Sequence, residues 1–235
     1  MKKSREYIRG LRDGIPIGVG YLSVSFAFGI QAILLGLTPM QALLISMTNL
    51  TSAGQLAGLQ VMASAGPLFE MALSQLVINL RYALMSLTLT QKFDVNMGRG
   101  KRMLAAFGNT DEIFAVSASQ KQPVTGKYFA GLMTLPYIGW STGTLLGALG
   151  GQLLPAVLTS ALGLALYGMF LAVIIPPSKK QGNVLAVVVG AALSSCILKG
   201  ALPALSGGMR IIICAVALAG LGALIFPVEE KEENT

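Results

Sequence analysis

Histidine is absent from the 235 residues, and charge is scarce: 17 Lys and Arg with 10 Asp and Glu make up 11% of the chain, against roughly 25% in soluble domains. The missing imidazole excludes a Ser-His-Asp triad, a Cys-His pair and any His-ligated metal centre. Cysteine is limited to Cys196 and Cys214, which form no CxxC pair and sit in apolar stretches, where a free thiol packs as a small hydrophobe. There is no GxSxG elbow, no cluster of metal-ligating residues and no phosphate-cradling GxxxxGKS/T loop. The composition therefore points away from an enzyme and from nucleotide-driven transport, and no cofactor is expected.

What fills the chain is apolar, at 54%. Gly14 to Phe69 and Tyr128 to Ser178 contain no charged residue at all, and each is long enough for two bilayer crossings of about 20 residues. The chain reads as one integral membrane domain over residues 1–235, an all-α polytopic helix bundle. Cutting at prolines, glycines and charges gives seven apolar segments: Gly14 to Leu37, Met40 to Met62, Pro67 to Leu89, Phe129 to Leu149, Pro155 to Ile175, Val184 to Leu198 and Ile211 to Phe226. Residues 1–13 carry Lys2, Lys3, Arg5, Arg9 and Arg12 with Tyr7, Ile8 and Leu11 at near-helical spacing, an amphipathic cytoplasmic segment. The hydrophobicity that continues past Ser25-Phe26-Ala27 argues against signal-peptide cleavage there. Residues 91–127 form a basic cytoplasmic loop, and the acidic tail 229–235 is expected to be disordered.

The net charge of +7 comes from basic residues between apolar runs, without the interleaved aromatics of a nucleic-acid stripe. Their distribution tests the topology. If all seven segments cross, more basic residues fall outside than inside. Leaving aside Arg81 within a segment and Lys231 in the tail, if one of the first three enters and returns, thirteen lie inside and two, Lys199 and Arg210, outside. The second segment is the candidate, because Thr48-Asn49-Leu50-Thr51-Ser52-Ala53-Gly54-Gln55 puts polar and small residues at its middle. Either the helix breaks there and forms a site, or it stays intact with Thr and Ser bonded to its own carbonyls. A weaker internal echo relates Pro16–Gln55 to Pro136–Gly168.

Gly139, Gly143, Gly147 and Gly151 recur every four residues and line one helix face for close backbone approach. Asn79 and Arg81 lie inside the third segment, where a buried charge costs about 2.5–3.5 kcal/mol on insertion scales. Snorkelling, a substrate carboxylate, or an acidic partner such as Asp111 or Glu112 would relieve that cost. Glu70 suits the first turn of a helix after Pro67. Asn109-Thr110-Asp111-Glu112 reads as a helix start capped by Asn109, with a proton- or ammonium-binding acid as the alternative.

These residues resemble the AzlC-type large subunit of bacterial branched-chain amino acid exporters. The likeness rests on Gly14-Ile15-Pro16 followed by Phe28-Gly29, on Gln55, on Asn79-Leu80-Arg81-Tyr82 and on Thr110-Asp111-Glu112. Within Leu50 to Gln55 the glutamine is kept, while the family's aromatic and Ala-Gly pair are replaced. The resemblance implies a multi-pass protein of the bacterial cytoplasmic membrane, N-terminus inside, working with a small hydrophobic AzlD-type subunit. It implies export of valine, leucine, isoleucine and, as a further candidate, methionine, driven by an ion gradient through alternating access. A zwitterionic substrate needs two opposite partners. The expected substrate-binding residues are Asn49, Gly54, Gln55, Asn79 and Arg81, and those for proton or ion coupling are Asp111 and Glu112. A non-transporting membrane scaffold is the competing reading.

Overall fold

The computed structural model describes residues 2–153, 155, 157, 168, 171 and 174–226. The segment expected at Pro155 to Ile175 lies largely outside these residues, and the acidic tail lies wholly outside them. Among the described residues the chain is helical with no strand. The helices are α1 (Lys2–Leu34), α2 (Pro39–Thr48), α3 (Ala53–Ala63), α4 (Leu68–Lys92), α5 (Arg99–Phe107), α6 (Asp111–Ala118), α7 (Gly126–Gly150), α8 (Gly182–Ala201) and α9 (Gly207–Ile225). Among the described residues four stretches are long and apolar enough to cross a membrane: Arg5–Leu34, Leu68–Lys92, Gly182–Ala201 and Gly207–Ile225. This is a membrane helix bundle.

Local chemistry sets the helix starts. Thr38 and Gln41 form a reciprocal capping box ahead of α2, with Pro39 in its first turn. Thr125 caps α7 by accepting from the Tyr128 amide at 3.2 Å, and Ser206 caps α9 through Met209 at the same distance. At α6 the cap is Thr110 and not Asn109 as the sequence suggests. The Asn109 side chain is drawn to the Ser86 hydroxyl on α4, 3.2 Å away, so a tertiary bond outcompetes the local one.

The centre of the bundle is the pair α1 and α7. Gly10, Gly14 and Gly18 of α1 face Tyr128, Leu132 and Leu135, while Gly139, Gly143 and Gly147 of α7 face Gly18, Leu22 and Phe26. At each of these positions an added Cβ would run into a carbonyl oxygen of the other helix. The expected glycine face of α7 therefore packs against backbone. Its last member, Gly151, lies in the 3₁₀ turn that follows and meets the side chain of Ile30. The four-residue spacing of Gly10, Gly14 and Gly18 carried the same signal on the other helix. Successive contacts advance along both chains in the same direction, so α1 and α7 run parallel, with Pro16 and Pro136 each inside its helix.

Parallel packing fixes the path between them. Phe28 and Ala32 near the end of α1 share an apolar cluster with Ala42 of α2 and Leu59 of α3. Leu50, between α2 and α3, instead packs at mid-bundle against Tyr21 and Trp140. The second segment thus enters, breaks at residues 49–52 and turns back to the end it came from. Helix α4 then runs the full length to Leu89 and Phe93, which pack with Tyr128 and Phe129 at the opposite end. There Phe93 pairs with Val124 in an isolated bridge that returns the chain to α7. Residues 91–127, expected as a loop, contain α5 and α6.

A Gly147→Ala substitution is expected to lower the thermal unfolding midpoint in detergent by roughly 5 °C or more, since backbone must shift to admit the methyl. Gly20→Ala, where nothing lies within 4 Å of the added Cβ, serves as the control and should not fall. Equal midpoints for both variants would contradict the backbone contact.

Candidate functional site

Two pieces of chain end at the same depth. From one side comes the break between α2 and α3, and from the other the N-terminus of α6. Ser52, at the start of α3, has φ 40° and ψ −77° with no side-chain cap, a sparsely populated conformation that costs on the order of 1–3 kcal/mol. Around it the polar groups find partners. Thr51 donates to Asn49 Oδ1 at 2.6 Å, and Gln75 of α4 donates to the Gly54 carbonyl at 2.8 Å. Asn79 donates to Gln75 at 3.0 Å, while Asn79 Oδ1 is buried without a partner. A Cβ on Gly54 would stand 2.8 Å from Gln75 Oε1 and 3.0 Å from Asn79 Oδ1, so only glycine lets α3 approach α4 this closely.

Gln55 is 2% exposed, and both ends of its amide are engaged. Its Nε2 donates to Ser46 at 3.1 Å, and its Oε1 accepts from Trp140 Nε1 at 2.9 Å. Ser46 in turn bonds Thr144 at 2.7 Å. These bonds tie both limbs of the broken segment to α7. Trp140 meets Tyr21 edge-on, with ring centroids 5.2 Å apart, and the Tyr21 hydroxyl donates to Glu112.

Beside Glu112, Asp111 accepts from Arg81 at 2.8 Å. The guanidinium also donates to the Tyr82 hydroxyl at 3.1 Å and lies 4.9 Å from that ring's centroid. Arg81 therefore meets one of the two acids expected as its partner. With side chains 41% and 37% exposed, the pair is not sealed, and such partly solvated pairs contribute at most about 1 kcal/mol. Helix α6 is not one of the spans. Burial pushes the Asp111 carboxyl above its ordinary value; Arg81 opposes that shift and Glu112 adds to it. Together the groups leave one more carboxylate than cation, an arrangement suited to a proton or an ammonium group.

A cavity of about 20 Å³ lies between these groups, walled by Tyr21, Trp140, Leu50, Ser52, Tyr82, Thr110, Asp111 and Glu112. That is room for about one water. The expected residues thus fall into two neighbouring sets, joined through Gln55 and Trp140: Asn49, Gly54 and Asn79 at the break, and Asp111 and Glu112 in the cavity wall with Arg81 behind Asp111. Sequence reasoning missed Tyr21, Gln75, Tyr82 and Trp140. Of these, Tyr82 was available beside Arg81, and Gln75 four residues before Asn79. Among the described residues no group of three or more Cys, Asp or Glu side chains could hold a metal ion.

A family model described as AzlC protein matches residues 16–154, which contain every residue of this site. The inner membrane protein YgaZ of Escherichia coli (strain K12) is 28% identical over 198 residues, covering 80% of each chain. An uncharacterized membrane protein of Archaeoglobus fulgidus is 31% identical over 196 residues, 83% of this chain and 85% of that one. The branched-chain amino acid transport protein AzlC of Bacillus subtilis (strain 168) is 24% identical over 225 residues, 93% of this chain and 85% of that one. No solved structure matches at a significant level.

Trp140→Phe should cost about 1–3 kcal/mol, because it leaves the buried Gln55 oxygen without a donor. Combined with Gln55→Leu, the loss should be smaller than the sum of the single losses when thermal unfolding is followed in detergent. Strict additivity would mean that the two side chains do not depend on each other.

Proposed function

The chain belongs to the AzlC family of membrane proteins, and from that premise we propose that it is the large subunit of an alternating-access exporter of branched-chain amino acids. The substrates are valine, leucine and isoleucine, with methionine as a further candidate, and the partner is a small hydrophobic AzlD-type subunit. The protein sits in the bacterial cytoplasmic membrane with the N-terminus and residues 91–127 inside. Supporting that orientation, the ends of α1, α4 and α7 nearest Glu6, Asp94 and Lys127 border one groove. The N-terminal segment and residues 91–127, which carry eleven of the basic residues, therefore meet at one end of the bundle.

The observation that carries the reading is the Arg81–Asp111 pair beside Glu112 at a break in the second segment. An amino acid is itself an ion pair. Its carboxylate replaces Asp111 at Arg81, and its ammonium takes Glu112, with Asn79 Oδ1 and Asn49 within the surrounding polar set. Leu50 and the faces of Tyr21, Tyr82 and Trp140 meet the aliphatic side chain. Gln55 acts by positioning Trp140. Such a pocket separates substrates differing by one methylene by only about 1–3 kcal/mol, so several branched-chain amino acids share it.

A cavity this small represents a closed state, and the wall formed by α3, α4 and α6 opens against the α1–α7 pair. A proton on Asp111 releases Arg81 for the substrate carboxylate, which couples the ion gradient to transport. The raised Asp111 value favours that protonated form at higher pH than for an ordinary aspartate, and the form is lost as pH rises through it. The exposed row Leu185, Val189, Leu193 and Ile197 on α8 gives the small subunit an apolar face within the bilayer.

Liposomes containing the protein, with and without the small subunit, and loaded with labelled leucine test the reading. Saturable efflux is expected, falling as pH rises, with Asp111→Asn flattening that dependence and Arg81→Gln lowering the rate at least tenfold at equal protein abundance. Unchanged efflux in Arg81→Gln would remove that residue from the site. No saturable movement with both subunits present would favour the scaffold reading.

A further inference from the structure

A second opening is far larger than the central cavity. At the end of the bundle where α4 stops, a groove of about 950 Å³ runs between the starts of α1 and α7, the turn after α4, and α5. Its floor is apolar, formed by Met97, Leu104, Phe129 and Met133, and Lys101 and Lys127 line its rim. Lys101 reaches the start of α7, its Cδ 3.6 Å from where a Cβ on Gly126, the residue before Lys127, would stand. Both lysines are exposed, and neither has an ion-pair partner among the described residues. The groove's two carboxylates are hydrogen-bonded within its own wall and pair with neither lysine, Glu6 accepting from Thr125 at 2.6 Å and Asp94 from the Asn96 backbone N–H at 2.7 Å.

Helix α5 shows what medium this groove faces. Met103, Leu104 and Phe107 are exposed on it and fall within one arc of about 100° of the helix surface. Arg99 and Lys101 flank that arc. Arg102 points elsewhere and donates to the carbonyls of Met97 at 2.9 Å and Thr90 at 3.2 Å, which fixes α5 to the end of α4. An outward apolar stripe bordered by basic side chains, at the end of a spanning helix, is the pattern of a helix lying in the interfacial plane of an anionic leaflet.

We propose that this groove binds an anionic phospholipid, with the headgroup phosphate between Lys101 and Lys127 and an acyl chain along Met97, Leu104, Phe129 and Met133. Charge selects the lipid class, since the unpaired lysines gain less from a zwitterionic headgroup, whose own ammonium offsets the attraction of its phosphate. The apolar floor selects a lipid over a free phosphate, because most of the groove's surface would gain nothing from a soluble anion. The site is separate from the Arg81 cavity, so its failure would leave the transport reading standing.

Native mass spectrometry of the full chain in neutral detergent tests this with phosphatidylglycerol and phosphatidylcholine of the same acyl composition. Phosphatidylglycerol adducts should persist at collision energies that strip phosphatidylcholine. Lys101→Gln with Lys127→Gln should weaken phosphatidylglycerol binding roughly thirtyfold, on the scale expected for two basic side chains at a headgroup, without lowering the thermal midpoint measured in the absence of lipid. Leu104→Gln should weaken it through the floor, and soluble glycerol phosphate should not compete. Equal retention of the two lipids, an unchanged affinity in the double lysine variant, or displacement by glycerol phosphate at equal concentration would each overturn the proposal.

Discussion

A helix broken inside a membrane protein leaves peptide groups that lipid cannot satisfy, and the arrangement around residues 49–52 follows from that constraint. Gln75 reaches across from α4 to the Gly54 carbonyl, and Tyr137 reaches from α7 to the Met47 carbonyl at 3.2 Å. Gln55 ties the returning limb to Trp140 and Ser46. Each of these bonds needs close approach of a neighbouring helix. Gly54 provides it on the α4 side, where any side chain would displace Gln75 and Asn79. A polar centre in this bundle is therefore a consequence of the break, and the break is held open by the polar centre.

The charges obey the same logic at higher cost. Arg81 sits midway along a mostly apolar helix, and α6 exists in the structure as the element that delivers a carboxylate to it. Thr110 caps α6 and places Asp111 and Glu112 in its first turn, next to the positive end of the helix dipole. At the far end of α4, Glu70 is 4% exposed and accepts from the Ser206 hydroxyl that also caps α9. Helix α4 is thus tied by polar contacts to α6 at its middle and to α9 at its start. Along its length the helix buries only Glu70, Ser74 and Leu89.

Much of this was legible in the residues, for reasons that differ. Charge-free runs and the bilayer's thickness gave the segments, and the polar run from Thr48 to Gln55 marked where the second one would fail. The count of basic residues called for a returning segment, and the parallel course of α1 and α7 requires one. Arg81 demanded a counter-charge, and Asp111 was within the short set of acids that could supply it. The aromatic wall was not legible. Tyr21 bonds Glu112 across 91 positions and Trp140 bonds Gln55 across 85, separations at which a single sequence carries no pairing signal. The cap of α6 failed for a related reason, since the bond that removes Asn109 comes from α4.

Where motion can occur follows from which contacts tolerate displacement. Helices α1 and α7 are interlocked, because each presents glycine to the other's carbonyls at positions four residues apart. A slide of one or two residues would drive the side chains of Leu22, Phe26, Leu132 or Leu135 onto backbone. This pair is a fixed post. Helix α4 has the opposite character, with few buried residues and a half-exposed ion pair at mid-length. The contact between α3 and α4 runs through amide side chains, and such bonds re-form after small shifts more readily than interdigitated core. Strain at Ser52 adds a bend that is already partly made. The cavity, large enough for one water, therefore lies between the elements whose contacts best tolerate displacement, α4 and α6, and the rings of Tyr21 and Trp140, which the glycine seam behind them holds in register.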